Sequence, residues 1–449
     1  MPGPIGPDDL REIAGAALEV SGADDVEVLA IHEWGGLTRF ARSAIHQNAW
    51  REDTGVKVRV VTQGRVGVAS TNDLSKAGAQ KAARDALEIA QVAAPDPGFP
   101  GLAPKAGYTK LDGYDEEAAA MTPTQQAEEV AQIVGQATNG VEAAGAYETQ
   151  IIEVAVANTE GQFAYHPGTQ ASVSVLMSGD DGGAGYAEAF GRGPGALDRE
   201  YVGERAARKA RDSGGPRDLD PGRYDVVLEP LAVSTLMAFL GWLGFGGRQI
   251  AEGRSCFSGR IGEKVVGRNI SIEDDALAAD ALGMPFDFEG TPKRVVQLIV
   301  EGVVQGGVHD RRSAKQAGVE STGHALPPPN PEGPFPLNVA VATGDSTVEE
   351  MIAATERGLL ITRFHYANIV HPREAIITGM TRDGTWWIEN GAIAHPVKNL
   401  RFTQSILEAL SNVDAIGREA ELASEFFFAA SRVPALKVRD FNFTGKSDH

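Results

Sequence analysis

The chain has 449 residues, 42% of them hydrophobic and 23% charged, a length that exceeds one ordinary core and points to two domains. Forty-one Lys and Arg against sixty-one Asp and Glu leave a formal charge of −20, which repels phosphate backbones and disfavours direct nucleic-acid binding. The single cysteine, Cys256, excludes an internal disulfide framework and a structural zinc knuckle, and the opening residues lack a basic segment followed by an apolar run, so a cytoplasmic protein without membrane spans is expected.

Residues 8–20 repeat apolar side chains at Leu10, Ile13, Ala14, Ala17 and Leu18, helical spacing opened by Asp8 and Asp9. Residues 26–31 and 37–41 are short strand candidates, and 56–61 faces 65–69 across Thr62, Gln63 and Gly64 as a hairpin. Asn72 or Asp73 is the expected cap of an Ala-rich helix from Lys76 to Val92, and the Pro/Gly stretch 94–107 is an irregular connection. A helix from Pro123 to about 140 leads to strands at 149–157, 162–165 and 170–177, with residues 158–161 as a turn. The glycine-rich stretch 178–195 lacks the strand-to-helix setting of a phosphate-binding loop and reads as a mobile loop. Residues 197–213 are helical, and the breakers in 213–222 divide the chain into domains 1–218 and 219–449.

Beyond the boundary, 224–228 is a strand and 231–243 is apolar on every face, a buried helix stopped by Gly244, Gly246 and Gly247. Residues 295–304 read as one buried strand, 337–342 as another, and 345–350 opens a helix capped by Asp345 or Ser346. Strands at 359–364, 375–380, 385–389 and 391–393 then alternate with turns at Arg382-Asp383-Gly384 and Asn390-Gly391, and 403–410 closes the domain. The fold class is α+β: an N-terminal α/β domain on an antiparallel sheet and a β-rich C-terminal domain.

Candidate chemistry is sparse. His365, His371 and His395 are the only local grouping of histidines, and a strand carrying the first and a turn carrying the second have to converge on the third to hold a metal. Arg363, Tyr366 and Arg382 in the same region are candidates for gripping a peptide, or are strand-face ion pairs. His309 and Asp310 lack a nucleophile beside them. Cys256, between Arg254 and Arg260, is a thiol with no neighbouring His. Adjacent Trp386 and Trp387 in a strand must point to opposite faces, which predicts that at least one faces a partner or a peptide path.

The loop 253–262, GRSCFSGRIG, resembles the TldD/PmbA family, the "modulator of gyrase" proteins, and DVVLEP at 225–230, GMPFDFEGTP at 283–292, STGHALPPPNP at 321–331 and the tail from Gly379 to Ser405 follow in the family's order. The resemblance implies an N-terminal α/β domain, a β-rich C-terminal domain and a dimer enclosing a cavity. In the TldD branch, an HExxxH motif ahead of this loop and a late cysteine hold zinc and cleave unfolded or modified peptides. Counting back without gaps puts that branch's zinc histidines on Ala238 and Leu243 and its glutamate on Phe239; no His, Asp or Cys occurs between Leu231 and Ser255, and no cysteine follows Cys256. The resemblance is therefore to the TldE/PmbA-like branch, and implies a subunit without cofactor of its own, paired with a TldD-like zinc peptidase subunit or with itself, around an unfolded peptide. The rival readings are a stand-alone hydrolase using His365, His371, His395 or Cys256, and a homodimeric binding protein without catalysis.

Overall fold

A computed structural model describes residues 3–138, 140–426 and 429–447. The first half is built from α1 (Pro7–Leu18), β1 (Asp25–Ala41), β2 (Ala44–Thr62), β3 (Arg65–Thr71), α2 (Lys76–Val92), α3 (Glu116–Ala120), α4 (Pro123–Val134), β4 (Val141–Asn158), β5 (Phe163–Gly179), β6 (Ala184–Gly191) and α5 (Arg199–Asp212). Its strands form one antiparallel sheet in the order β3-β2-β1-β4-β5-β6. The expected hairpin is present: Gln63 and Gly64 both take positive φ, 49° and 70°, the two-residue turn whose twist matches its strands. The two short candidates at 26–31 and 37–41 are a single strand, β1.

The sheet has two differently dressed faces, and this places the site. Val26, Val28 and Ala30 of β1, with Ala155 and Ala157 of β4, pack under α1 and α2. Leu29 of β1, with Val154 and Val156 of β4, faces the other way and packs on Phe286 from the second half. Small residues let the helices sit close. A Cβ on Gly67 would lie 2.1 Å from the Ala86 carbonyl oxygen of α2. Within the glycine-rich stretch 178–195 expected as a mobile loop, Ala184–Gly191 are strand β6 for the same reason: a Cβ on Gly185 would meet the Ala206 oxygen of α5 at 2.2 Å. The α2 cap differs from expectation: it is Ser75, whose Oγ accepts from the Gly78 N–H at 3.0 Å, while Asp73 instead accepts from the Ser75 N–H.

The second half adds β7 (Gly222–Leu228), α6 (Pro230–Gly244), α7 (Gly247–Ala251), β8 (Ile272–Asp274), β9 (Val296–Val300), β10 (Val303–Val304), α8 (Arg311–Ala317), β11 (Val339–Val341), α9 (Val348–Ala353), β12 (Arg357–His371), β13 (Ile376–Glu389), β14 (Ala392–Pro396), β15 (Leu400–Ser405), α10 (Ile406–Ser411), β16 (Val413–Phe426) and β17 (Ala429–Lys446). They make one mixed sheet in which β7-β12-β13-β15-β17 closes on itself through a β17–β7 pairing. Phe364, Phe402 and Phe441 meet within this ring of strands with centroids 4.4–5.6 Å apart. Among the described residues no helix is long and apolar enough to cross a membrane.

Three local expectations give way. Residues 295–304 form a hairpin, β9 and β10, because Glu301 and Gly302 adopt φ of 45° and 82°. Asp383-Gly384 is a bulge inside the continuous strand β13, opposite Arg363 and Ile361, and turns nothing. The α9 cap is Thr347, in a capping box with Glu350. Residues beyond 410, given no role by the sequence reading, carry the two long strands β16 and β17, and Asn390-Gly391 is the tight turn expected.

Candidate functional site

A cavity of about 520 Å³ lies where the inward face of the first sheet meets the second half. That is the size of a small-ligand or peptide-residue site. Ile31 and Glu33 of β1, Gln150, Ile152 and Val154 of β4 and residues 166–170 of β5 form one wall, with Arg192 just past β6. Gly241 and Trp242 of α6, Gln249 of α7 and the segments around Met284–Phe288 and Leu326–Asn338 form the other. The position follows from α6, whose apolar turns are sunk in the core while the Trp242 ring is 51% exposed at the cavity edge.

Charges around the cavity are arranged in two groups. At one side Lys293 is buried, and its Nζ has no hydrogen-bond partner among the described residues; burial lowers its pKa against the pull of Asp274 and Asp287. Asp287 accepts from the backbone N–H groups of Glu289, Thr291 and Ala325, yet burial and Glu289 push it up to about 7. Behind it His324 Nε2 lies 2.8 Å from Asp274 Oδ1, both side chains fully enclosed; burial and Lys293 lower the His324 pKa, favouring its neutral form. On the opposite side His166 is held neutral, at about 4, by burial and by neighbouring Arg192.

The junction is fastened by buried ions. Glu229, at the start of α6, receives Lys209 and Arg205 from α5, and Lys209 also donates to Thr362 Oγ1 at 3.0 Å. Burial alone would raise the Glu229 carboxyl, but the two cations outweigh it and hold it at about 2. Arg59 of β2 bridges Glu27 at 3.3 Å and Glu289 at 3.0 Å. Burial, with Glu289 and Asp287, nevertheless pushes Glu27 up to about 8.

The sequence candidates fall elsewhere. Ala238 is half-buried, and Phe239 and Leu243 lie in the core of α6. His365 pairs across the strands with Met380 and His371 with Ile376, whereas His395 pairs with Trp387. Met380 and Trp387 are seven residues apart on β13, roughly 23 Å of strand, so the histidines do not converge. Among the described residues no three His, Cys, Asp or Glu side chains are gathered as for a metal. Arg363 pairs with Asp383 at 2.7 Å and stacks 3.9 Å over the Tyr186 ring; Arg382 reaches the same carboxylate at 3.7 Å. Tyr366 stands exposed away from the cavity, with φ of 55°. Asp310 caps α8 and His309 contacts Ser313, both local structural tasks. Cys256 is enclosed and its thiol is pushed up to about 12 by burial. Trp386 and Trp387 do point to opposite faces, but both faces are cores, so neither is left for a partner. The cavity residues Arg192, Gln249, Asp287 and Lys293, with His324 behind them, are not among the sequence candidates, although Asp287 and His324 sit inside two of the blocks that carry the resemblance.

Family models for the PmbA/TldA metallopeptidase match in three parts: domain 1 at residues 26–90, the central domain at 111–213 and the C-terminal domain at 221–445. Metalloprotease PmbA of Escherichia coli O157:H7 is 24% identical over 447 residues, covering 96% of each chain. A metalloprotease TldD homologue of Haemophilus influenzae is 24% identical over 402 residues, 84% of this chain and 82% of its own. The crystal structure of TldE from Thermococcus kodakarensis superposes with a TM-score of 0.88 at 20% identity, covering 98% of this chain and 99% of that one.

Proposed function

The chain belongs to the PmbA/TldA metallopeptidase family, and from that premise we propose that it is a TldE-like, non-catalytic subunit, cytoplasmic, paired with a TldD-like zinc peptidase subunit and helping to wall the chamber in which an unfolded or modified peptide is cleaved. One observation carries the reading: the side chains at the family's zinc positions in α6 are Ala238, Phe239 and Leu243, the last two packed in the core. None offers a lone pair to a divalent cation, and Phe239 cannot take a proton from bound water. The residues do not fit zinc, and no catalytic step through it is assigned to this chain.

Next to these positions, Gly241 and Trp242 of α6 border a ligand-sized cavity whose surface is largely apolar. Such a wall suits a stretch of unfolded chain, whose common features are apolar side chains and main-chain polar groups. The reading is tested by metal analysis and co-purification. The purified chain should hold far less than one zinc per molecule, lack peptidase activity alone, and be retained by a TldD-like chain from the same genome. Stoichiometric zinc lost on substituting His365 or His371, or peptide cleavage by the isolated chain, would overturn it.

A further inference from the structure

The cavity carries a cation without a counter-ion. Arg192 is half withdrawn from water at its edge, and one Nη donates to the Ala281 carbonyl oxygen at 2.6 Å, which fixes the guanidinium plane. No ion pair joins Arg192 to a carboxylate among the described residues. Burial lowers its pKa despite the more distant pull of Asp112. Its neighbour His166 is neutral, and the wall's Glu33 is already engaged by Gln150 at 3.4 Å and Arg51 at 3.9 Å. In a chain of formal charge −20, an unmatched guanidinium at a cavity selects an anion, and its planar fork suits a carboxylate.

The rest of the lining narrows the carboxylate: Ile152, Trp242, Met284, Phe288 and Phe335 give the cavity a largely apolar wall. Gln249 in that wall gives its Nε2 to the Glu332 carbonyl at 2.8 Å, and its Oε1 is enclosed.

An anion and an apolar side chain are together the chemistry of the last residue of an unfolded peptide. We propose that the cavity is a carboxy-terminus pocket: Arg192 pairs with the terminal carboxylate, and the apolar wall takes the terminal side chain. This deepens the peptide-wall reading above and rests on it. Such a pocket anchors a substrate by its end, which fixes how far the chain extends toward a partner's active site.

The test uses the full chain and calorimetry with two probes, N-acetyl-Phe-Leu as free acid and as carboxamide. The acid should bind at least tenfold more tightly than the amide, and Arg192→Gln should bring the acid down to the amide's level while the amide is unaffected. Arg192→Lys, which keeps the charge and loses the fork, should fall between. Equal binding of acid and amide to the unaltered chain, binding of neither at millimolar concentration, or a preference that survives Arg192→Gln would each overturn the pocket. Binding of phenylacetate as tightly as the dipeptide would overturn the assignment to a peptide. If the Arg192 variants do not fold, the acid-to-amide ratio of the unaltered chain still decides. Zinc content and partner capture report separately: a retained partner with no acid preference sinks only the pocket, and stoichiometric zinc with the preference intact sinks only the subunit reading.

Discussion

Glu229→Gln is the sharpest probe of how the two halves are joined. The carboxylate sits at the start of α6 with Lys209 and Arg205 of α5 upon it and is 7% exposed, so solvent does little to screen the pair. Its carboxyl is held at about 2 against an ordinary 4.5. At about 1.4 kcal/mol per tenfold change in proton binding, that drop corresponds to about 3 kcal/mol of stability, close to the cost of breaking a buried pair from one side. The neutral amide leaves the enclosed Lys209 without a counter-charge and Arg205 with Glu421 alone. Because the folded value is depressed, the contribution is complete above pH 4.5 and is lost as pH falls toward 2. Urea unfolding followed by tryptophan fluorescence should show the variant about 3 kcal/mol less stable at pH 7, with the gap narrowing by about 1 kcal/mol at pH 4. Lys209 works in the opposite sense: burial holds it at about 8, below the ordinary 10.5, so above pH 8 it sheds its proton and the cost of losing Glu229 shrinks. A gap under about 1 kcal/mol at pH 7, or one that widens on acidification, would refute the assignment of the clamp.

Glu27 behaves with the reverse sign. Its folded value of about 8 lies above the ordinary 4.5, so the protonated form is favoured by the fold and stability is lost as pH rises from 4.5 through 8; Glu27→Gln should gain steadily on the parent between pH 5 and pH 8.5 in urea titrations, and a gap that stays constant would refute the assignment. Gly185→Ala should lower the melting temperature by several degrees, a loss of about 1–3 kcal/mol, because the new methyl would lie 2.2 Å from the Ala206 oxygen. A melting temperature within one degree of the parent would show that α5 can move away. Cys256, pushed up to about 12 by burial, should be inert to a disulfide reagent at pH 8 in the native chain and react as one thiol per molecule in guanidinium; rapid native reaction would contradict the enclosure.

What could be read from the sequence was set by interactions close along the chain. The Gln63-Gly64 turn and the uniformly apolar α6 depend on their own residues, and both were legible. The misreadings share a cause, which is a partner distant in sequence. Gly185 looks like part of a loop until Ala206 of α5 approaches within the space a side chain would fill. Asp383-Gly384 carries the signature of a turn, but β13 continues because Arg363 across the pair engages the Asp383 carboxylate. The two tryptophans alternate as strand geometry requires; that both faces of β13 are covered follows from Tyr224 of β7, 5.7 Å from the Trp387 ring, on one side and α9 on the other, which no local pattern contains.

The same logic governs the site. That α6 carries no His, Cys, Asp or Glu is visible directly, because it depends on one short run of residues. The cavity that the helix borders is not, since it draws Arg192 from beyond β6, Gln249 from α7 and its apolar wall from β4 and the segments near 284 and 335. An α6 without metal-binding side chains still has a task. With Ala238 and Trp242 one turn apart toward the outer side, the helix still shapes a wall next to an unpaired guanidinium, an arrangement that costs desolvation energy and is returned only when an anion arrives. If the acid and amide probes bind alike, that cost has no ligand to offset it, and Arg192 would have to be explained by its contact with Ala281 alone.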